Sequence, residues 1–125
     1  RPRRIQWKLW NTIDHIPESE RTQFVADPES GSIHNFGAAV DLTLADSSGN
    51  PLDMGTEYDF FGKLAFPVLE DSLLQIGKLT TQQVMNRRIL RNTMQSAGFS
   101  PITTEWWHFD AFPYPVTKAK YLIIE

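Results

Sequence analysis

The chain has 125 residues, one domain's worth and enough to bury a core, and its composition (41% hydrophobic, 22% charged, 12% aromatic) excludes a disordered or fibrous protein. Net charge is −3 with an isoelectric point near 5.6, so there is no nucleic-acid footprint, and no apolar run reaches the ~18 residues of a membrane span. With no Cys, a disulfide framework, a thiolate nucleophile and a Cys-ligated zinc are all excluded.

Residues 2–13 read as a helix. Pro2 suits a first helical turn, and Ile5, Leu9, Trp10 and Ile13 recur at helical spacing. The short basic cluster of Arg1, Arg3, Arg4 and Lys8 reads as a solvated helix face. The chain opens on Arg1-Pro2, not Met, so an upstream segment is expected to have been removed. Residues 14–32, with Pro17, Pro28 and Gly31, read as a long loop of the functional kind. Residues 38–45 alternate as a strand, with Val40, Leu42 and Leu44 opposite Ala39, Asp41 and Thr43. Residues 46–51 form a turn cluster, followed by a hairpin or short crossover, and residues 60–79 are mixed, broken by Gly62, Pro67 and Gly77.

Residues 81–97 are the clearest helix. Thr80 and Gln83 supply a capping box, and Val84, Met85, Ile89, Leu90, Met94 and Ala97 supply an apolar stripe. Gly98 is the expected stop. Residues 99–107 read as a loop running into a strand, and residues 121–124 as a short final strand. The order predicts an α+β fold with a mainly antiparallel sheet and flanking helices, one domain over 1–125.

The chemistry concentrates in two stretches. His34 lies in Ser32-Ile33-His34-Asn35-Phe36-Gly37-Ala38-Ala39-Val40-Asp41, and His108 closes Glu105-Trp106-Trp107-His108. Imidazole and carboxylate are zinc's ligands where thiolate is lacking, and a catalytic zinc keeps three protein ligands with one open position. His34, Asp41 and His108 make such a set. A straight strand would put His34 and Asp41 on opposite faces, so a turn near Phe36-Gly37 must fold His34 back over the strand end. The small Ala38 and Ala39 leave room there. Glu105, three residues before His108, can lie near the metal without ligating it and act as a general base on a water whose pKa the metal lowers toward ~7. Trp106 and Trp107 wall the site or fill the core. Taken singly, each residue also has a structural reading: a His at a strand end, a capping Asp, a rim Glu, and for His15 a solvated loop His. Spacing alone leaves metal binding open.

Together the two stretches resemble the zinc D-Ala-D-Ala peptidases, whose pattern S-x-H-x-x-G-x-A-x-D, with E-x-W-H far downstream, is complete here. The segment from Pro51 to Phe60, PLDMGTEYDF, looks like the M-G-T/S-x-F-D segment of the D-alanyl-D-alanine dipeptidases of the vancomycin-resistance type. NRRILRNTMQSAGF looks like the helix before their E-W-W-H, and RPRRIQWKLW looks like the segment just after the Tyr of their Y-R-P motif. The resemblance implies the hedgehog/D-Ala-D-Ala peptidase fold and one zinc ion per chain, held by His34, Asp41 and His108. It implies Glu105 as catalytic base and Arg1 as the arginine that stabilises the oxyanion. Ser32 and Asp59 match positions that hold the free ammonium group of a small dipeptide substrate. The activity implied is hydrolysis of D-Ala-D-Ala, in cell-wall recycling or glycopeptide resistance, in a bacterial cytoplasm or periplasm. The alternatives are a D,D-carboxypeptidase or endopeptidase acting on peptidoglycan stems, and a non-catalytic binding module like the hedgehog signalling domain. The family's N-terminal region ahead of Y-R-P is missing here, which makes a separate N-terminal fragment of the same protein an expected partner.

Overall fold

The computed structural model describes residues 1–22 and 24–125, which divide into two units, residues 1–39 with 111–125 and residues 40–110. The secondary structure is α+β, as the element order predicts. Among the described residues no helix is long and apolar enough to cross a membrane.

The first unit begins with α1, Arg3–Thr12, entered from Pro2 at φ −62°. This helix buries Trp10 and Gln6. The predicted loop over 14–32 includes Gln23, which lies outside the described residues, and it is not wholly irregular. Pro17 starts a short α2, Glu18–Arg21, whose last residue folds back to donate from Nε to the Ile16 carbonyl and from Nη2 to the Asp14 carbonyl (both 2.8 Å). A single 3-10 turn over Ile33–Phe36 comes next, stopped by Gly37 in the left-handed region at φ 69°. The same unit contains a helix at Tyr114–Lys120, α5, which sequence patterning does not reveal. Pro113 and Pro115 look like breakers, yet Pro113 is the N-cap and Pro115 sits in the first turn, where a missing N–H costs nothing. The α5 helix of Tyr114–Lys120 runs into residues 121–124, and these are not a strand. Their main chain pairs singly: Arg3 N donates to the Ile124 carbonyl and Ile124 N to the Asn35 carbonyl, both at 2.7 Å. Those partners sit in a helix and a turn, so no ladder can form.

The second unit holds the sheet, in the order β1-β3-β2. Its strands are β1 at Ala39–Asp41, whose first residue still belongs to the first unit, β2 at Ser100–Pro101 and β3 at His108–Asp110. β2 and β3 are antiparallel, Ser100 opposite Asp110 and Pro101 opposite Phe109. The strand expected over 38–45 stops at Asp41. Val40 is exposed, whereas Leu42 and Leu44 pack on the core, so the three do not share one buried face. The predicted turn at 46–51 is present: Ala45 and Pro51 form a bridge, and Asp46 accepts the Ser48 and Asn50 amides at 2.8 and 2.9 Å. Within residues 60–79 lie two 3-10 turns, Lys63–Ala65 and Pro67–Leu69, and the helix α3, Glu70–Gln75.

Helix α4, Thr81–Ser96, starts on the predicted box. Thr80 Oγ1 accepts the Gln83 amide at 3.2 Å while Gln83 Oε1 accepts the Thr80 amide at 2.9 Å. Gly98, at φ 90°, lies just beyond its C-cap. The buried face differs from the apolar stripe. Met85 and Ile89 are each 50% exposed, while Val84 and Leu90 share the buried face with Asn86 and Arg87. Leu90 packs with Met54, Ala65, Trp106, Trp107 and Phe109 in the apolar core. Burial of each large side chain there contributes roughly 1.5–3 kcal/mol. Both tryptophans are therefore core residues, 3% exposed each.

Candidate active site

In the second unit three predicted residues meet. Asp41 ends β1 and His108 opens the neighbouring β3. His108 is buried, and its Nδ1 lies 3.0 Å from Asp41 Oδ1. Glu105 Oε2 is 3.7 Å from the same nitrogen, on a side chain 38% exposed, so that carboxylate is near the imidazole and open to solvent. The other ring nitrogen, Nε2, lies 2.7 Å from Asp110 Oδ1. Burial alone would pull the imidazolium pKa down, but the hydrogen bonds and negative charges of Asp110 and Asp41 outweigh it and leave His108 at about 9.

Sequence reasoning misses Asp110. The signal was available: residues two apart on a strand share a face, so a carboxylate two after a candidate ligand on β3 is placed to hold that ligand's far nitrogen.

Asp59, the fourth predicted residue in this unit, lies in the segment joining Met54 to the turn at Lys63. Its backbone is left-handed at φ 58°, the sole such non-glycine conformation among the described residues. Asp tolerates that region better than most residues, and such conformations cluster where function fixes a side chain. The preceding Tyr58 sets its ring 5.8 Å from that of Trp107, which fastens the segment next to Asp59 to the core.

The first unit gathers Arg1, Ser32 and His34 through one hydrogen-bonded cluster. The Arg1 main-chain nitrogen donates to the His34 carbonyl at 2.9 Å, and Asn35 Nδ2 donates to the Arg1 carbonyl at 2.8 Å. Asn35 Oδ1 accepts the Ser32 amide at 2.7 Å. Arg1 Nη1 donates to Gln6 Oε1 at 2.8 Å, and Gln6 Nε2 passes on to the Ala26 carbonyl at 2.9 Å. Gln6 and Asn35 are buried polar residues that hydrophobic patterning does not find, and both hold Arg1. The Ser32 hydroxyl is buried without a hydrogen bond to any described residue.

The expected break at Gly37 folds His34 back. Its Nδ1 lies 3.2 Å from the Ala39 carbonyl, five residues on. With the proton on Nδ1, that bond orients the ring and sets the tautomer whose electron pair is on Nε2. His108 has the opposite arrangement: when Nε2–H donates to Asp110, the electron pair is on Nδ1, the nitrogen beside Asp41. His34 in the first unit, and Asp41 and His108 in the second, each offer one atom of a kind that ligates metal ions. The donor set of two imidazoles and one carboxylate, with a hydrogen-bond partner behind each imidazole, fits a catalytic zinc.

The D-ala-D-ala dipeptidase family model matches residues 7–122. The chain belongs to that family. Similar members include the D-alanyl-D-alanine dipeptidase of Escherichia coli (strain K12), 36% identical over 119 residues, which cover 93% of this chain and 55% of that protein. The D-alanyl-D-alanine dipeptidase of Enterococcus faecalis (strain ATCC 700802 / V583) is 32% identical over 114 residues, 87% of this chain and 53% of that protein. The chain thus spans about half the length of these D-Ala-D-Ala dipeptidases. The His108 cluster of this family member is thus a buried imidazole between two carboxylates, with the partly exposed Glu105 beside it.

Proposed function

We propose that this chain supplies the catalytic centre of a zinc-dependent D-alanyl-D-alanine dipeptidase. The observation that carries the reading is the His108 cluster, in which a buried imidazole has one nitrogen beside Asp41, the other beside Asp110, and Glu105 at 3.7 Å. The zinc ion would be held by His34, Asp41 and His108, and Asp110 would keep the His108 ring oriented. When bound, the metal supplies Lewis acidity toward water and the peptide carbonyl.

The chain's own groups do the rest. Glu105 takes a proton from the attacking water and returns it to the leaving D-alanine nitrogen. This general-base and general-acid role suits a carboxylate open to solvent on one side. The Arg1 guanidinium, oriented by Gln6, stabilises the oxyanion that develops on the carbonyl oxygen. Asp59 and the buried Ser32 hydroxyl receive the substrate's free ammonium group, the first by charge and the second by accepting a hydrogen bond. A carboxylate at that end selects dipeptides, because an amine must sit beside it.

The test is made on the full-length protein. Glu105→Ala should retain its zinc and lose D-Ala-D-Ala hydrolysis by about 10²–10⁴-fold. Wild-type-like turnover in the zinc-loaded variant would refute the role of Glu105. Comparing free D-Ala-D-Ala with its N-acetyl derivative tests the substrate class, and preference for the acylated compound would replace the dipeptidase reading by a carboxypeptidase acting on peptidoglycan stems.

A further inference from the structure

Helix α4 presents three polar side chains, Gln83, Asn86 and Arg87, to the segment that carries Asp59. Gln83 Nε2 donates to Asp53 Oδ2 at 2.9 Å, and Asn86 Nδ2 donates to the Asp53 carbonyl at 2.8 Å. Arg87, fully buried, reaches further. Its Nε donates to the Met54 carbonyl at 2.6 Å and its Nη2 to the Leu64 carbonyl at 3.1 Å. Those two carbonyls bracket the stretch that contains Thr56, Tyr58 and Asp59. A buried guanidinium is costly unless its charge and donors are met. Here the charge is met by Glu70, which Arg91 grips at 3.1 and 2.7 Å and which stands 3.9 Å from Arg87 Nη1, and by the Trp106 ring 5.9 Å from the guanidinium carbon, while Nη1 itself makes no hydrogen bond to a described residue. Trp106 in turn donates from Nε1 to Thr56 Oγ1 at 2.7 Å, within the bracketed stretch. An apolar residue at 87 would pack the core as well and avoid the desolvation of a charge. What it would not supply is a rigid fork with donors to two backbone carbonyls at once.

We propose that Arg87, with Asn86 beside it, is the positioning residue of the Asp59 segment: its guanidinium ties the two ends of residues 54–64 together and so sets where the substrate's ammonium group is received. This rests on the assignment of Asp59 as the ammonium site. Arg87 touches no substrate and acts through the backbone. Lysine at this position keeps the charge opposite Glu70 but replaces the planar fork by a single ammonium on a flexible stem, so the fixed spacing of two donor nitrogens is lost.

The experiment uses Arg87→Lys in the full-length, zinc-loaded protein. The expected result is a KM for D-Ala-D-Ala raised by about tenfold or more, with a smaller change in kcat and unchanged zinc content. Amides of residues 55–63 should exchange hydrogen faster, while those of α4 do not. A folded Arg87→Lys protein with wild-type KM and wild-type exchange over 55–63 overturns the proposal. Should that variant fail to fold, Asn86→Ala releases the Asp53 carbonyl, with the Gln82 amide on the same helix as the one other group to lose its partner. A smaller rise in KM with faster exchange near residues 53–56 supports the clamp, and unchanged values for both overturn it. Asp59→Asn separates the two readings. If it leaves KM unchanged while Arg87→Lys still loosens 55–63, the ammonium assignment falls and the clamp stands. If Asp59→Asn raises KM while Arg87→Lys leaves exchange and KM as in the wild type, the clamp falls and the assignment stands.

Discussion

The two units are held together by different physics. Residues 40–110 have an apolar core in which Met54, Leu90, Trp106, Trp107 and Phe109 exclude water, and a long capped helix that packs on it. Residues 40–110 also bury Glu70, Asn86, Arg87 and His108, but the unit of residues 1–39 with 111–125 sets Gln6, Ser32, Asn35 and Thr117 beside a much smaller apolar group, Trp10, Phe36 and Ala38. Its order comes from side chains that satisfy main-chain groups across 20 to 34 residues of sequence, Gln6 to Ala26 and Asn35 to Arg1. Apolar burial is non-directional and tolerates rearrangement, whereas a hydrogen-bonded core fixes positions and fails sharply when one partner is lost. Arg1 and His34, two of the candidate site residues, are in the unit with the second kind of core.

Substitutions can break this contrast. The largest effect is expected at Leu90→Ala, a cavity in the apolar core that costs about 2–5 kcal/mol in urea unfolding. A loss below about 1 kcal/mol would mean that this core does not dominate its unit.

Next comes the charge lodged in the same unit. With metal removed by a chelator, His108 keeps a pKa of about 9 against an ordinary 6.5. A raised folded-state pKa means that the imidazolium's contribution is full below about pH 6.5 and lost as pH climbs through about 9. The full shift corresponds to on the order of 3 kcal/mol. Unfolding midpoints in chelator should fall between pH 6.5 and 9, and His108→Gln should flatten that dependence. A fall of equal slope in the variant would place the titrating group elsewhere.

Asn35→Ala then probes the polar core. It leaves the Ser32 amide and the Arg1 carbonyl without their partner, at a cost of about 1–3 kcal/mol. Because Arg1 loses a tether, hydrolysis should drop by more than the stability loss explains, as measured at a temperature where the variant is fully folded. An activity loss that merely tracks unfolding would make Asn35 structural only. Smallest is Gly37→Ala, which asks a residue with a Cβ to hold φ 69° and costs about 1 kcal/mol in thermal unfolding. Its reading is sharp because the methyl group meets little else, the Ile123–Glu125 tail approaching no nearer than 3.4 Å, at Ile124.

The same contrast explains what can be read from the sequence. α4, its capping box and Gly98, the turn at 46–51 and the break at Gly37 are all legible, because each is a local signal with a local cause. Periodicity misassigns the buried side of α4 at Met85 and Ile89, since it counts apolar residues and Asn86 and Arg87 are buried for the sake of distant carbonyls. The 121–124 tail escapes it because its main-chain partners are Asn35 and Arg3, more than 80 residues away in the chain, and α5 because its prolines cap a helix where they usually end one. At the candidate site the ligand types are legible from two short motifs. Asp110 has a local mark, its place two residues after His108 on one strand face, whereas Gln6 and Asn35 have none, because their partners are distant in the chain.

The left-handed backbone at Asp59 limits how this protein can change. Glycine, asparagine and aspartate are the residues that take such a conformation readily, and aspartate alone among them carries charge. Drift at this position is therefore confined to a narrow set. Asp59→Asn keeps the turn and discards the attraction for an amine in a single substitution. With Asp59 as the ammonium site, a path from dipeptides toward amine-blocked peptides starts one nucleotide-scale step away and meets no conformational barrier, whereas other replacements must first rebuild the loop.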